Sequence, residues 1–219
     1  MELNRFEDGL YSKREVASYL DIPPATLGRW AGSPHLVTTV ANRGWGASVP
    51  FVGLAEAYTL KAFRAAGVSL QRIRPALAAL DAEFGLGYAL ASQRLFTDGA
   101  EVLFDYATHS DSEDDIRDLV IVRRSQPVFA DVVEDYLKRV QFRDSYASVI
   151  PVLGFADAGL VVDVSRGFGQ PVFEDGGARL SDVVSLFTAG ESLDVVSEEF
   201  GLPRQRIEAA LRGSLRLAA

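Results

Sequence analysis

The sequence predicts an α+β fold in three parts: a helical front, a β-rich middle and a small helical back. Three observations predict it. Apolar residues recur at helical spacing, between good start and stop signals, near both ends of the chain. The middle carries β-branched runs and an Asp-Gly turn. The same 18-position register of small, turn and apolar residues occurs once in the front and once in the back. The expected boundaries are residues 1–83, 84–157 and 158–219.

The front begins with Tyr11-Ser12-Lys13-Arg14-Glu15. Ser12 is a good N-cap, and Glu15 stands three residues on, where a capping-box partner belongs. Val16, Tyr19 and Leu20 form one inward stripe. Asp21-Ile22-Pro23-Pro24 breaks the helix, and proline in a first turn starts the next, running to about Trp30. With Lys13 as position one, position five is Ala17, small enough for two helices to approach. Position nine is Asp21, in the turn. Positions ten, fifteen and eighteen are Ile22, Leu27 and Trp30, all apolar. This is the register of a DNA-binding helix-turn-helix. The turn position usually holds glycine; aspartate tolerates a left-handed backbone better than most residues.

The second helix would then read DNA, with Pro24, Ala25, Thr26, Gly28 and Arg29 facing outward. Arg29 is the strong base-edge candidate, while Ser12, Lys13 and Thr26 suit phosphate. His35 to Val40 is strand-like, Asn42 to Gly46 is turn chemistry, and Ala47 to Phe51 offers a returning strand. Together they read as a wing with Arg43 at its tip. A packed turn around Trp45 and its flanking glycines is the other reading. Val52 to Asp81 reads as two helices, with Leu54, Tyr58, Leu60, Ala62 and Phe63 inward on the first and Ile73, Leu77 and Leu80 on the second.

The segments YSKREVASYLDIPPATLGRW (residues 11–30) and AGVSLQRIRPAL (residues 66–77), with a hairpin between, resemble the winged helix-turn-helix of the MerR type. The resemblance spans roughly residues 10–82. It departs at Gly28 and Arg29, where the family tends to have arginine then an aromatic, and it lacks the long dimerisation helix of ordinary MerR regulators.

In the middle, Leu95-Phe96-Thr97, Asp98-Gly99 and Glu101 to Phe104 give a hairpin signal. Leu119 to Val122 is a further strand, and Val128 to Val140 reads as a helix. The acidic run from Asp111 to Asp115 lacks the ligand alternation of a calcium loop and reads as solvated.

The back opens with a buried strand, Leu160 to Asp163, followed by glycine-rich tight turns around Pro171 to Phe173. Helices are expected over Leu180–Ala189, Leu193–Phe200 and Pro203–Leu211. Ser192 and Pro203 are their starts, Gly190 and Gly201 their stops. With Leu193 as position one, Ser197, Gly201, Leu202, Ile207 and Ala210 repeat the helix-turn-helix register. Its charges are mixed. Glu191, Asp194, Glu198 and Glu199 would repel phosphate, while Arg204, Arg206, Arg212 and Arg216 would attract it, so this copy reads as a DNA or a protein surface.

Charge and composition narrow the function. The net charge is −8, yet residues 11–80 carry +5 and residues 81–219 carry −11. A basic front and an acidic back imply different partners. Hydrophobic residues are 48% of the 219 and charged residues 24%, a globular balance. There is no cysteine, and there are two histidines, so no thiol chemistry and no multi-histidine metal site is expected. No apolar run approaches a membrane span, and the first residues do not read as a signal peptide, so a cytoplasmic chain is expected. No P-loop, Gly-x-Ser-x-Gly or His-Glu-x-x-His appears; neither catalytic residues nor a cofactor is expected.

Residues 160–211, LVVDVSRGFGQPVFEDGGARLSDVVSLFTAGESLDVVSEEFGLPRQRIEAAL, resemble the small domain called domain-of-unknown-function family 433, commonly the antitoxin of a toxin–antitoxin pair. A MerR-like front joined to this back resembles a VapB-type antitoxin branch. The resemblance implies a homodimer that binds operator DNA and neutralises a PIN-like ribonuclease toxin. An arginine among Arg204, Arg206, Arg212 and Arg216 would then enter the toxin's acidic pocket. The alternatives are a stand-alone transcription regulator whose middle senses a small molecule, and an interaction adaptor without DNA binding.

Overall fold

The computed structural model describes residues 3–32, 36–41, 46–65, 70, 73–74, 77–78, 87–97 and 138–218. The wing tip with Arg43, the Asp98–Phe104 hairpin arm, the acidic run, Leu119–Val122 and most of the 128–140 helix lie outside them.

Local rules build the first two helices as the sequence predicts. Helix α1 spans Lys13–Tyr19. The Ser12 hydroxyl accepts from the Glu15 N–H at 3.2 Å, and the Glu15 carboxylate accepts from the Ser12 N–H at 2.7 Å. This capping box satisfies donors that the first turn leaves unpaired. The turn is left-handed at Asp21, with φ +51°, and the Ile22 N–H returns to the Ala17 carbonyl at 2.9 Å. Helix α2, Pro24–Trp30, starts with proline at its first position. Ala17, Leu27 and Trp30 are buried together with Val16 and Leu20; Ile22 is half-buried.

The expected wing is only partly regular. Val40 N–H donates to Ser48 O at 2.8 Å. Val49 bridges antiparallel to Tyr11 rather than to the 36–40 segment. Each of Tyr11 and Val49 accepts from the other's backbone, while the neighbouring Ser48 carbonyl meets the 36–40 segment. Helix α3, Phe51–Ala65, follows. Of the predicted helix after it, residues 70, 73, 74, 77 and 78 are described and helical, with Ile73 buried.

The chain divides into two compact units. One joins Met1–Leu54 to Ser148–Ala219; the other is Ala55–Ala147. In the second, the expectation of a strand at Leu95–Thr97 is corrected: helix α4 covers Gln93–Thr97. Ser92 starts it, accepting from Arg94 N–H on its side chain and from Leu95 N–H on its carbonyl. Five residues are too few for hydrophobic period alone to separate strand from helix, and the cap decides. The Thr59 hydroxyl, buried, donates to the Leu90 carbonyl at 2.8 Å and so ties α3 to this segment.

The sheet is antiparallel, in the order β1 (Gln141–Arg143), β2 (Tyr146–Pro151), β3 (Leu160–Asp163), β4 (Pro171–Phe173). Asp144 and Ser145, both at positive φ, make the tight turn between β1 and β2. Ile150 faces Val162 and Val161 faces Val172, and Val149, Val161 and Val172 form one buried cluster. β3 is the strand the sequence predicts. β4 replaces an expected turn: Pro171 and its two followers are buried, and Phe173 N–H bonds to Ala178 O.

Three helices close the first unit: α5 (Leu180–Thr188), α6 (Leu193–Phe200) and α7 (Arg204–Ala218). The Ser192 hydroxyl caps α6 through the Val195 N–H, and Gly201 ends it at φ +62°. α7 runs seven residues past the expected end at Leu211. Its extension packs on the 3-10 segment Leu153–Ala158, where Gly213 lies directly on the Phe155 ring. The same segment rests on α1: a Cβ on Gly154 would overlap the Ser18 carbonyl oxygen. Helices from both ends of the sequence therefore share one core.

Candidate nucleic-acid interface and the C-terminal arginines

The N-terminal helix-turn-helix stands on a buried nucleus and presents one face of α2. Pro24, Ala25, Gly28 and Arg29 are exposed, and Thr26 is half-buried. Arg29 Nη2 donates to the Thr26 hydroxyl at 3.3 Å, which holds the guanidinium along the helix. Lys13 is exposed at the start of α1. Ser12, expected to meet phosphate, has its hydroxyl engaged as the helix cap. The structure thus brings Arg29, Thr26, Ala25 and Pro24 onto one helix. Arg43 lies outside the described residues.

Tyr11, immediately before this motif, was not singled out as a site residue. Its ring is fully buried, edge-on to Tyr19 at 5.9 Å, and its hydroxyl donates to the Gly169 carbonyl at 2.6 Å. Burial raises both phenols well above the ordinary tyrosine range, with the Glu15 carboxylate adding to the effect, and Tyr19 adding to it at Tyr11. Both are therefore neutral, and Tyr11 is a hydrogen-bond donor. No sequence signal marks the pairing, because its two ends are 158 residues apart.

In the second helix-turn-helix, Leu202, Ile207 and Ala210 are buried, as the register requires, and Val196 is buried too. The Ser197 hydroxyl donates to the Leu202 carbonyl at 2.6 Å across the turn. The four arginines separate. Arg204 is exposed and bridges Asp194 at 2.9 Å and Glu208 at 3.2 Å. Arg212 is exposed, 3.8 Å from Glu208. Arg206 turns inward, with its side chain 18% exposed. Its Nε donates to Ala158 O and its Nη2 to Gly159 O, each at 2.8 Å. It also pairs with Asp175 and lies 5.7 Å from the centre of the Phe173 ring. Its guanidinium is thereby part of the fold. Arg216 lies on α7, its side chain outside the described residues. Among the described residues there is no cluster of three or more histidine, aspartate or glutamate side chains fit to hold a metal ion. No described helix is long and apolar enough to cross a membrane.

Residues 9–77 match the family described as "Putative DNA-binding HTH domain". The chain is 42% identical over 226 aligned positions to "Putative antitoxin VapB45" of Mycobacterium tuberculosis (strain ATCC 25618 / H37Rv), with 94% of each chain covered. A crystal structure of Rv2018 from Mycobacterium tuberculosis superposes with a TM-score of 0.80 at 43% identity, covering 95% of this chain and all of that one. Identity at this level over nearly the whole length of both chains means that this protein belongs to the VapB45 family.

Proposed function

We propose that the chain is a cytoplasmic antitoxin that binds operator DNA as a homodimer and neutralises a PIN-like ribonuclease toxin. In this reading residues 1–83 are the DNA-binding part, with MerR-like wing geometry, and 84–157 a connector. Residues 158–219 are the toxin-binding part, of the domain-of-unknown-function 433 type. The observation that carries the DNA half is the exposed face of α2, where Arg29 stands beside Pro24, Ala25 and Thr26 on a buried nucleus. Lys13 at the start of α1 and Arg43 in the wing would hold phosphate; Ser12 contributes by fixing that helix start.

The toxin half is supported by the name of the relative and by the exposed arginines of α7. Arg204 pairs with Asp194 and shares the Glu208 carboxylate with Arg212, and these pairs are exposed, so a more acidic partner can compete for both arginines. Arg216 joins them in sequence. Arg206 supports this surface from inside, since its guanidinium is committed to Ala158 and Gly159.

DNA titrations by fluorescence anisotropy, with duplexes from the region upstream of the gene, test the first half. Affinity should fall steeply with salt, with a log–log slope near −0.9 per neutralised phosphate, and Arg29→Ala should weaken it. Salt-insensitive binding, or none, refutes it. Co-expression with the product of the adjacent gene tests the second half: one complex on gel filtration is expected, and two separate peaks refute it.

A further inference from the structure

Among the described residues, nothing in the fold requires Gly28 to be glycine. It lies inside α2 in ordinary helical backbone, so no left-handed turn requires it. Among the described residues, a Cβ built on it would meet nothing within 4 Å, so no packing there requires it either. Gly53 and Gly154, by contrast, lie against backbone oxygens, and Gly201 turns left-handed at the end of its helix. An exposed glycine inside a helix costs stability relative to alanine, because it forfeits more chain entropy. A local rule broken without gain to the fold marks a position shaped by something the chain meets.

Its place on the helix says what that is. At about 100° per residue, the buried Leu27 and Trp30 define one side of α2. Gly28, Ala25 and Arg29 then fall within about 50° of the opposite direction. The centre of the presented face is therefore almost bare backbone, with one long cationic side chain beside it, braced by Thr26. Bare backbone allows close approach; a bulkier residue there would hold the whole helix off.

We infer that Gly28 is a specificity-determining residue, setting the depth at which α2 seats in the major groove of DNA so that Arg29 reaches a base edge. This rests on the DNA-binding reading above. Phosphate contacts made by other residues give affinity without sequence discrimination, so the loss on filling this position should fall on specific binding.

The test starts from duplexes that the wild-type chain enriches from a random pool. Dissociation constants are then measured for an enriched duplex and for a scrambled one of equal length. Gly28→Ala should weaken binding to the enriched duplex about tenfold, a loss of about 1.4 kcal/mol. Gly28→Leu should weaken it further, and binding to the scrambled duplex should stay the same for both. Both variants should melt higher than the wild type, by about 2–4 °C for Gly28→Ala. Unchanged affinity for the enriched duplex with a raised melting temperature overturns the inference and leaves the DNA-binding reading intact. Equal losses on both duplexes, or a lowered melting temperature, also overturn it. If the wild type enriches no duplex, the DNA-binding reading itself fails and this inference falls with it.

Discussion

Tyr11→Phe isolates the bond that joins the N-terminal motif to the C-terminal part of its unit. The ring keeps its place, edge-on to Tyr19, and only the hydroxyl is lost. That hydroxyl donates at 2.6 Å to the Gly169 carbonyl from a side chain with 0% exposure. Removing it leaves a buried acceptor short of its partner, a cost of about 1–3 kcal/mol. For a chain of this size the melting temperature should fall by about 2–4 °C per kcal/mol. The same residue carries a pH signature. Its pKa is raised in the folded state, so above pH 10 the unfolded chain releases a proton that the folded chain keeps. The unfolded state then binds fewer protons, and stability falls as pH rises. Each such tyrosine contributes a slope of about 1.4 kcal/mol per pH unit while its folded form stays protonated. Tyr11 and Tyr19 both act this way, so Tyr11→Phe should make the alkaline slope shallower as well as lower stability at neutral pH. Urea unfolding followed by circular dichroism from pH 7 to 11 measures both. A neutral-pH loss below about 0.5 kcal/mol, which is within the range of ordinary surface changes, would refute the reasoning. So would an unchanged alkaline slope.

Other substitutions probe the remaining joints. Arg206→Ala should cost about 2–4 kcal/mol, since it removes charge-assisted bonds to two carbonyls. Asp175→Ala should cost less than about 1 kcal/mol, because Asp175 is 81% exposed; equal losses in chemical denaturation would contradict this account of the clasp. Phe168 sits in the left-handed region at φ +54° with its ring 76% exposed. Relief of a left-handed cost of about 1–2 kcal/mol outweighs glycine's extra entropy of about 0.5–1 kcal/mol. Phe168→Gly should therefore raise the melting temperature, and a fall would count against it. Gly154→Ala drives a methyl into the Ser18 carbonyl; it should lower stability by more than 1 kcal/mol, roughly the centre of the range for single substitutions, and calorimetry showing no loss would contradict the packing of the 3-10 segment on α1.

Local features of this protein were readable from residue order because their partners lie within a few residues. Ser12 and Glu15 close a cap across three positions, Pro24 begins a helix, Ser192 caps another, and Gly201 turns its end. Of the positions read as buried from the helix-turn-helix register, Ala17, Leu27, Trp30, Leu202, Ile207 and Ala210 are buried, while Ile22 is half-buried beside the turn. The outward face of α2 follows from the same periodicity. Sequence reading failed where the deciding partner is distant or the segment is short. Leu95–Thr97 is apolar enough for either state, and Ser92 turned it into a helix. Asp144-Ser145 carries no glycine, so the hairpin it makes gave no signal.

Residue order determined where the helices with in-run caps start and which side of each is apolar, though not the Gln93–Thr97 helix or the far end of α7. Only tertiary structure decided that Tyr11 reaches Gly169, that Val49 pairs with Tyr11 rather than with the wing, and that Arg206 closes on Ala158 and Gly159. Those choices depend on which chain segments, distant in sequence, can bury their polar groups against one another. No local propensity encodes that competition.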